Sequence, residues 1–220
     1  MRVTRRRWLA HCSLMLAAGA LAAPMPALAA SAAATSRKIL VVGDSLSAEY
    51  GLQRGSGWVA LLEKRLAREH PQTVVVNASI SGDTTSGGLA RLPALLTRHR
   101  PDLVVIELGG NDALRGLPLA MTRSNLSAMA EAARTAGARV VIVGMQLPPN
   151  YGRSYGEQFA SLFGEVARAQ GAALVPFMLK GVADGPRAAE MFQADRIHPV
   201  AAAHPVILAN IWPILAPLLR

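Results

Sequence analysis

Five short apolar runs, each followed by a stretch with helical spacing, constrain this chain more than any other feature in it. Lys38 to Val42, Thr73 to Val76, Leu103 to Leu108, Arg139 to Val143 and Leu174 to Phe177 are too short for helices and rich in Val, Ile and Leu, so they read as strands. Runs that are apolar at consecutive positions belong to strands buried on both faces, the mark of a parallel sheet. Between them, Trp58, Leu61, Leu62 and Leu66 recur at helical spacing with charged residues opposite, in a helix ending near His70-Pro71. Leu89 to His99, Met121 to Ala136 and Glu157 to Gln170 repeat the pattern, with Pro93 tolerable only in a first turn. A last helix spans roughly Val200 to Leu219, kinked or divided by Pro205, Pro213 and Pro217. Strand and helix in alternation predict an α/β fold: a three-layer α/β/α sandwich around about five parallel strands, joined by right-handed crossovers.

The alternation starts only near residue 37. Before it, Met1 to Arg7 carries four arginines and no acid, Trp8 to Leu21 is mostly apolar, and Ala27-Leu28-Ala29 has the form of a signal-peptidase site. Residues 1–29 therefore read as a cleaved export signal, 30–36 as a flexible leader and 37–220 as a single domain. The apolar run, interrupted by His11, Cys12 and Ser13, is too short for a membrane span. Arg5-Arg6-Arg7-Trp8-Leu9 also has the look of a twin-arginine signal, so general and twin-arginine export both stay open to a periplasmic or secreted destination. Without those four arginines the formal charge falls from +9 to +5, and the cations left are scattered. They form no basic stripe of the kind that binds nucleic acid. Transient contact with anionic membrane lipid is compatible with that charge, and nothing demands more than a monomer. The only cysteine, Cys12, lies within the signal, which leaves the mature chain no disulfide and no thiolate metal site.

Gly43-Asp44-Ser45 stops the first strand and puts a hydroxyl where open α/β sheets keep their ligand crevice. No Gly-x-Ser-x-Gly elbow surrounds Ser45, no Gly-x-Gly-x-x-Gly follows a strand, and no phosphate loop is present. A serine in a turn is ordinary, so its base must be found elsewhere. In Asp195-Arg196-Ile197-His198-Pro199 a carboxylate precedes an imidazole by three residues, which puts both on one face of a helical turn. Such a pair fixes the imidazole tautomer with Nε2 toward the serine. His70 and His99 end amphipathic helices, and His204 lacks an acid at useful spacing. Donors for a developing oxyanion are available as the backbone N–H of Ser45, the backbone N–H of Gly82 and the side-chain amide of Asn111. Taken singly, Gly82 is a turn glycine and Asn111 an Asx-turn residue. Together they stand just past the ends of successive strands, which a parallel sheet brings to one edge.

Those segments, in this order, resemble the four blocks of the SGNH (GDSL) hydrolase family, named for its Ser, Gly, Asn and His. The resemblance runs on through Asn77–Thr84, Gly88–Leu96, Glu107–Asp112 and Leu147–Gly152 and covers nearly the whole mature chain. It implies a flavodoxin-like sandwich carrying a serine esterase that uses no cofactor and no metal. By the same resemblance Ser45 is the nucleophile, His198 the base and Asp195 its partner, with Ser45, Gly82 and Asn111 forming the oxyanion hole. The implied substrates are small-molecule carboxylic esters and thioesters: acyl-CoA, lysophospholipid and aryl esters. One departure is Val200-Ala201-Ala202-Ala203 after His-Pro, where the family pattern calls for a polar, Asn-containing turn. Leu114, Leu117, Leu147, Pro148 and Tyr151, on strand-end loops, are the candidates for an acyl pocket, with core or lid packing as the alternative for each. Two other functions fit the same fold: an envelope carbohydrate O-acetylesterase, and a non-catalytic binding module.

Overall fold

A computed structural model describes residues 37–219; the expected signal and leader lie outside them. Strands β1 (Arg37–Gly43), β2 (Thr73–Asn77), β3 (Leu103–Glu107), β4 (Arg139–Val143) and β5 (Ala173–Val175) form one parallel sheet in the order β2-β1-β3-β4-β5. Every residue of β3 is buried, as is β1 from Ile39 onward, which their unbroken apolar runs required.

Helices α1 (Trp58–Glu69) and α6 (His204–Leu215) pack on each other, while α2 (Thr85–His99), α4 (Leu119–Thr135) and α5 (Arg153–Gln170) form the opposite layer. Between β3 and α4 lies one short turn of helix, α3 (Gly110–Leu114). The division of helices follows from chain direction. β1 steps outward to β2, and the chain then returns past β1 to β3, β4 and β5. Crossovers of one hand that run in opposite directions put their helices on opposite faces. That reversal opens a crevice beyond the carboxyl ends of β1 and β3, so topology alone decides where a ligand enters. Leu62, Leu66, Ile207, Ile211 and Leu215 fill one side of the sheet; Leu92, Leu126, Met129, Phe159 and Phe163 fill the other.

Several boundaries differ from those the spacing predicts. α2 begins at Thr85 rather than Leu89, because Thr84 caps it, its hydroxyl accepting the Gly87 N–H at 3.3 Å. Gly87 and Gly88 carry no side chain for a hydrophobic period to register. Pro93 therefore lies inside the helix rather than in its first turn, and Leu89 loses its usual N–H donor. α5 likewise starts earlier, at Arg153. Pro176, which has no N–H for a ladder, follows a β5 that ends at Val175. The C-terminal apolar stretch divides into a 3-10 turn at Ala201–Ala203, α6, and a second 3-10 turn at Ala216–Leu219.

Candidate active site

Ser45 opens the turn that follows β1, which is closed by the Ala48 N–H donating to the Asp44 carbonyl at 3.0 Å. The C-terminal loop lies against it. His198 Nε2 is 2.9 Å from Ser45 Oγ, and His198 Nδ1 is 2.7 Å from Asp195 Oδ2. The expected helical turn at Asp195–His198 is absent. Arg196 takes φ 56°, a left-handed conformation that breaks a helix, and the segment is closed instead by the antiparallel bridge between Phe192 and Pro199. Asp195 compensates locally: its Oδ1 accepts the backbone N–H of Ile197 at 2.9 Å and of His198 at 3.0 Å. These two bonds and the imidazole contact, the His198 N–H first among them, hold the Asp195 carboxyl at about 2, below its ordinary range. A carboxylate so held keeps the ring proton on Nδ1 and leaves Nε2 to accept from Ser45.

Two residues outside the expected set brace this arrangement. The Tyr50 ring lies 4.3 Å from the His198 ring, centroid to centroid and inclined at 38°. Gln193 Nε2 donates to the Tyr50 carbonyl at 3.0 Å and the Pro199 carbonyl at 3.1 Å, tying the Ser45 turn to the His198 loop. An aromatic residue five positions after the serine was the only trace of this in the sequence. His204 lies apart from Ser45, His198 and Asp195: buried, with its pKa lowered by that burial, it accepts the Trp58 N–H at 3.0 Å and so satisfies the first amide of α1.

Past β2 the chain stays beside β1, the N–H groups of Ala78 and Ile80 donating to the carbonyls of Val41 (2.9 Å) and Gly43 (3.0 Å). The loop bearing Gly82 is thus carried alongside the Ser45 turn. Gly82 has φ 78°, where a side chain is strained. Arg115 donates to its carbonyl at 2.8 Å, and Arg91 reaches the Asp83 carboxylate at 2.9 Å and the Ala78 carbonyl. Among the described residues, the N–H groups of Ser45 and Gly82 meet no backbone acceptor. Asn111, in the first turn of α3, donates its amide to the Asp83 carbonyl at 2.9 Å and to Asp44 Oδ2 at 3.0 Å. Both of its protons already have acceptors, so Asn111 serves an oxyanion only by turning one of them to the new charge.

The profile of the GDSL-like Lipase/Acylhydrolase family matches residues 41–206. The chain belongs to this family. Esterase TesA of Pseudomonas aeruginosa is 57% identical over 186 residues, which is 84% of this chain and 91% of TesA. A solved structure of TesA superposes with a TM-score of 0.79, covering 83% of this chain and 99% of that one. Thioesterase 1/protease 1/lysophospholipase L1 of Escherichia coli (strain K12) is 42% identical over 175 residues, 80% of this chain and 81% of the relative.

In this GDSL-like acylhydrolase a cavity of about 480 Å3 opens beside Ser45 and His198. Of the five candidates for an acyl pocket, Leu114, Leu147 and Pro148 line this cavity; Leu117 and Tyr151 do not. Leu117 is drawn back by its N–H bond to the Asp112 carbonyl at 2.9 Å, and Tyr151 sits exposed at the end of a 3-10 turn. Their places are taken by Met145, Phe177, Leu179 and Phe192. Those four were hidden because strand ends and core-like apolar residues look alike in sequence. Among the described residues no cluster of three His, Cys, Asp or Glu is placed to hold a metal ion. Asn111→Ala is expected to lower kcat by about 10^2- to 10^3-fold with KM little changed, the effect of removing one oxyanion donor. Steady-state kinetics on an aryl ester check this; a change confined to KM would reassign Asn111 to substrate binding.

Proposed function

We propose that the protein is a serine esterase, cleaving carboxylic esters and thioesters through an acyl-enzyme on Ser45. One observation carries the reading: the unbroken relay from Asp195 through His198 to Ser45 Oγ, with contacts of 2.7 Å and 2.9 Å. His198 Nε2 takes the hydroxyl proton as Oγ bonds to the acyl carbonyl carbon, and the carbonyl oxygen becomes the oxyanion. The N–H groups of Ser45 and Gly82 and the Asn111 amide stabilise it. The imidazolium then gives its proton to the departing alkoxide or thiolate, leaving the acyl group on Ser45. Water, deprotonated by the same imidazole, repeats the sequence and releases the acid.

Met145, Leu147, Phe177, Leu179 and Phe192 beside the nucleophile favour acyl chains longer than acetyl, since burying each methylene contributes about 0.8 kcal/mol. The relative named as a thioesterase and lysophospholipase extends the candidate leaving groups to thiols and to the glycerophospho alcohol of a lysophospholipid. We read residues 1–29 as the signal that exports the enzyme to the periplasm or medium, and residues 37–220 as a single monomeric domain that meets lipid only in passing. A substrate panel on enzyme recovered from cells expressing the full chain tests all of this together. Activity is expected in the periplasmic or culture fraction, with octanoyl esters and thioesters turned over faster than acetyl esters, and with fluorophosphonate labelling at Ser45. Preference for acetylated sugars would replace this reading with a carbohydrate O-acetylesterase. A folded chain that neither turns over nor labels would be a binding module.

A further inference from the structure

Ser45 sits in no glycine elbow, yet its turn is pinned, and the pin is a buried acid for which the reaction scheme has no use. Glu107 ends β3 directly opposite Gly43 in the register of the sheet and is only 2% exposed. Among the described residues it pairs with no lysine or arginine. Its Oε2 accepts the Ser47 hydroxyl at 2.7 Å and the Asp44 backbone N–H at 3.3 Å. Ser47 Oγ accepts in turn from Trp58 Nε1 at 3.1 Å, which anchors the assembly to α1. A single carboxyl oxygen thus grips the chain on both sides of the nucleophile. The Leu46 N–H is taken as well, by Asp44 Oδ1 at 3.0 Å. With the amides of residues 44 and 46 committed, the Ser45 N–H between them is left over, as an oxyanion donor must be.

Room for this grip comes from a missing side chain. A Cβ on Gly43 would lie 2.8 Å from Glu107 Oε2 and 2.8 Å from both Ser47 Cβ and Ser47 Oγ. The glycine ahead of Asp44-Ser45 therefore serves close approach rather than an unusual dihedral.

Solvation decides the form in which Glu107 acts. A carboxylate this dry and without a cation is strongly disfavoured, and Asp44, itself 3% exposed, stands beside it. Burial first, then the Asp44 charge, push the Glu107 carboxyl well above its usual range; burial also raises Asp44, to about 6. Around the pair stand Asp83 from the loop after β2, Asn111 from α3 and His198 from the C-terminal loop. Near neutral pH the two acids hold one proton. It rests on Glu107, while Asp44 carries the charge to which Leu46 N–H and the Asn111 amide donate.

Resting on the reading of Ser45 as nucleophile, we propose that Glu107, as a neutral carboxylic acid, is the positioning residue that fixes the Ser45 turn and, through Asp44, the Asn111 amide. Glu107→Gln, Glu107→Ala and Gly43→Ala test it in the full-length chain, read by kinetics on p-nitrophenyl butyrate, by the rate of fluorophosphonate labelling and by thermal midpoint. Glutamine keeps an oxygen for Ser47 and Asp44 N–H and offers an N–H to the Asp44 carboxylate. Glu107→Gln should therefore hold kcat within a factor of a few, and should leave the Asp44 inflection in the pH profile where it is, because a neutral amide replaces a carboxyl that is already neutral when Asp44 titrates. Glu107→Ala is expected to lower kcat and the labelling rate together by about 10^2-fold at nearly constant KM, the effect of a reacting group displaced by about 1 Å. Gly43→Ala should do the same by pushing the carboxyl aside.

Glu107→Gln as damaged as Glu107→Ala overturns the neutral-acid assignment, and a folded Glu107→Ala that labels at the wild-type rate overturns the positioning role. If Glu107→Ala does not fold, wild-type labelling by Gly43→Ala overturns the positioning role instead, and an acid inflection that moves downward in Glu107→Gln, as on loss of a negative charge, overturns the neutral-acid assignment. Wild-type enzyme that fails to label at Ser45 would reject the nucleophile itself, a different result from all of these.

Discussion

Ser45→Ala is expected to lower kcat on every ester substrate by roughly 10^6-fold while leaving the thermal midpoint where it was. Both halves follow from the contacts. Among the described residues the only side-chain partner of Ser45 Oγ is His198 Nε2 at 2.9 Å, so the hydroxyl is needed by the imidazole and not by the core. The turn itself is held by Asp44, Ser47 and Glu107, none of which the substitution touches. Because nucleophile and base act as one unit, His198→Ala should lose about as much, and the double variant hardly more than either single one. What survives should be roughly the 10^3- to 10^4-fold over water that binding and the oxyanion donors supply without a nucleophile. Kinetics on p-nitrophenyl octanoate, normalised by active-site titration, with calorimetry alongside, measure both quantities. Fluorophosphonate incorporation that persists in Ser45→Ala would move the nucleophile to another residue.

The sheet was legible because β1, β3 and β4 are buried on both faces and had to be written as unbroken apolar runs. The proposed reacting groups stood out for another reason: each lies just beyond a strand end or in the C-terminal loop, where a polar residue type is conspicuous. Geometry that depends on the backbone rather than on residue type was not. Arg196 at φ 56° turns Asp195–His198 into a loop in which the carboxylate caps two amides, and no spacing rule distinguishes that from a helical turn. Met145, Phe177, Leu179 and Phe192 line the cavity although nothing separates them in sequence from core neighbours. In the sequence Glu107 is simply the one charged residue within the apolar run Leu103 to Leu108. Only its register opposite Gly43 reveals why an acid is tolerated there.

Asp195→Asn is expected to separate what this residue does for the fold from what it does for the reaction. Its Oδ1 accepts the backbone N–H groups of Ile197 and His198, and an asparagine oxygen can accept both, so the loop should keep its shape. The imidazole contact changes sign. An asparagine NH2 toward His198 Nδ1 makes that nitrogen an acceptor and moves the ring proton to Nε2, where the Ser45 proton has to go. The expected loss is about 10^4-fold in kcat. Stability should fall by only about 1 kcal/mol, the scale of one exchanged hydrogen bond, because the carboxylate is more than a third exposed and solvent screens its pairing. The pH dependence has a definite sign. The folded-state pKa of Asp195 is lowered from 3.8 to about 2, so its contribution to stability is full above the ordinary value and is lost as pH falls through about 2. Wild type and Asp195→Asn should therefore converge in thermal midpoint at the acid end of that window and differ by a constant amount above it. Any loss of wild-type activity on acidification above pH 4 belongs to groups other than Asp195. An Asp195→Asn enzyme within tenfold of wild type would mean that the 2.7 Å contact orients the ring without governing its proton.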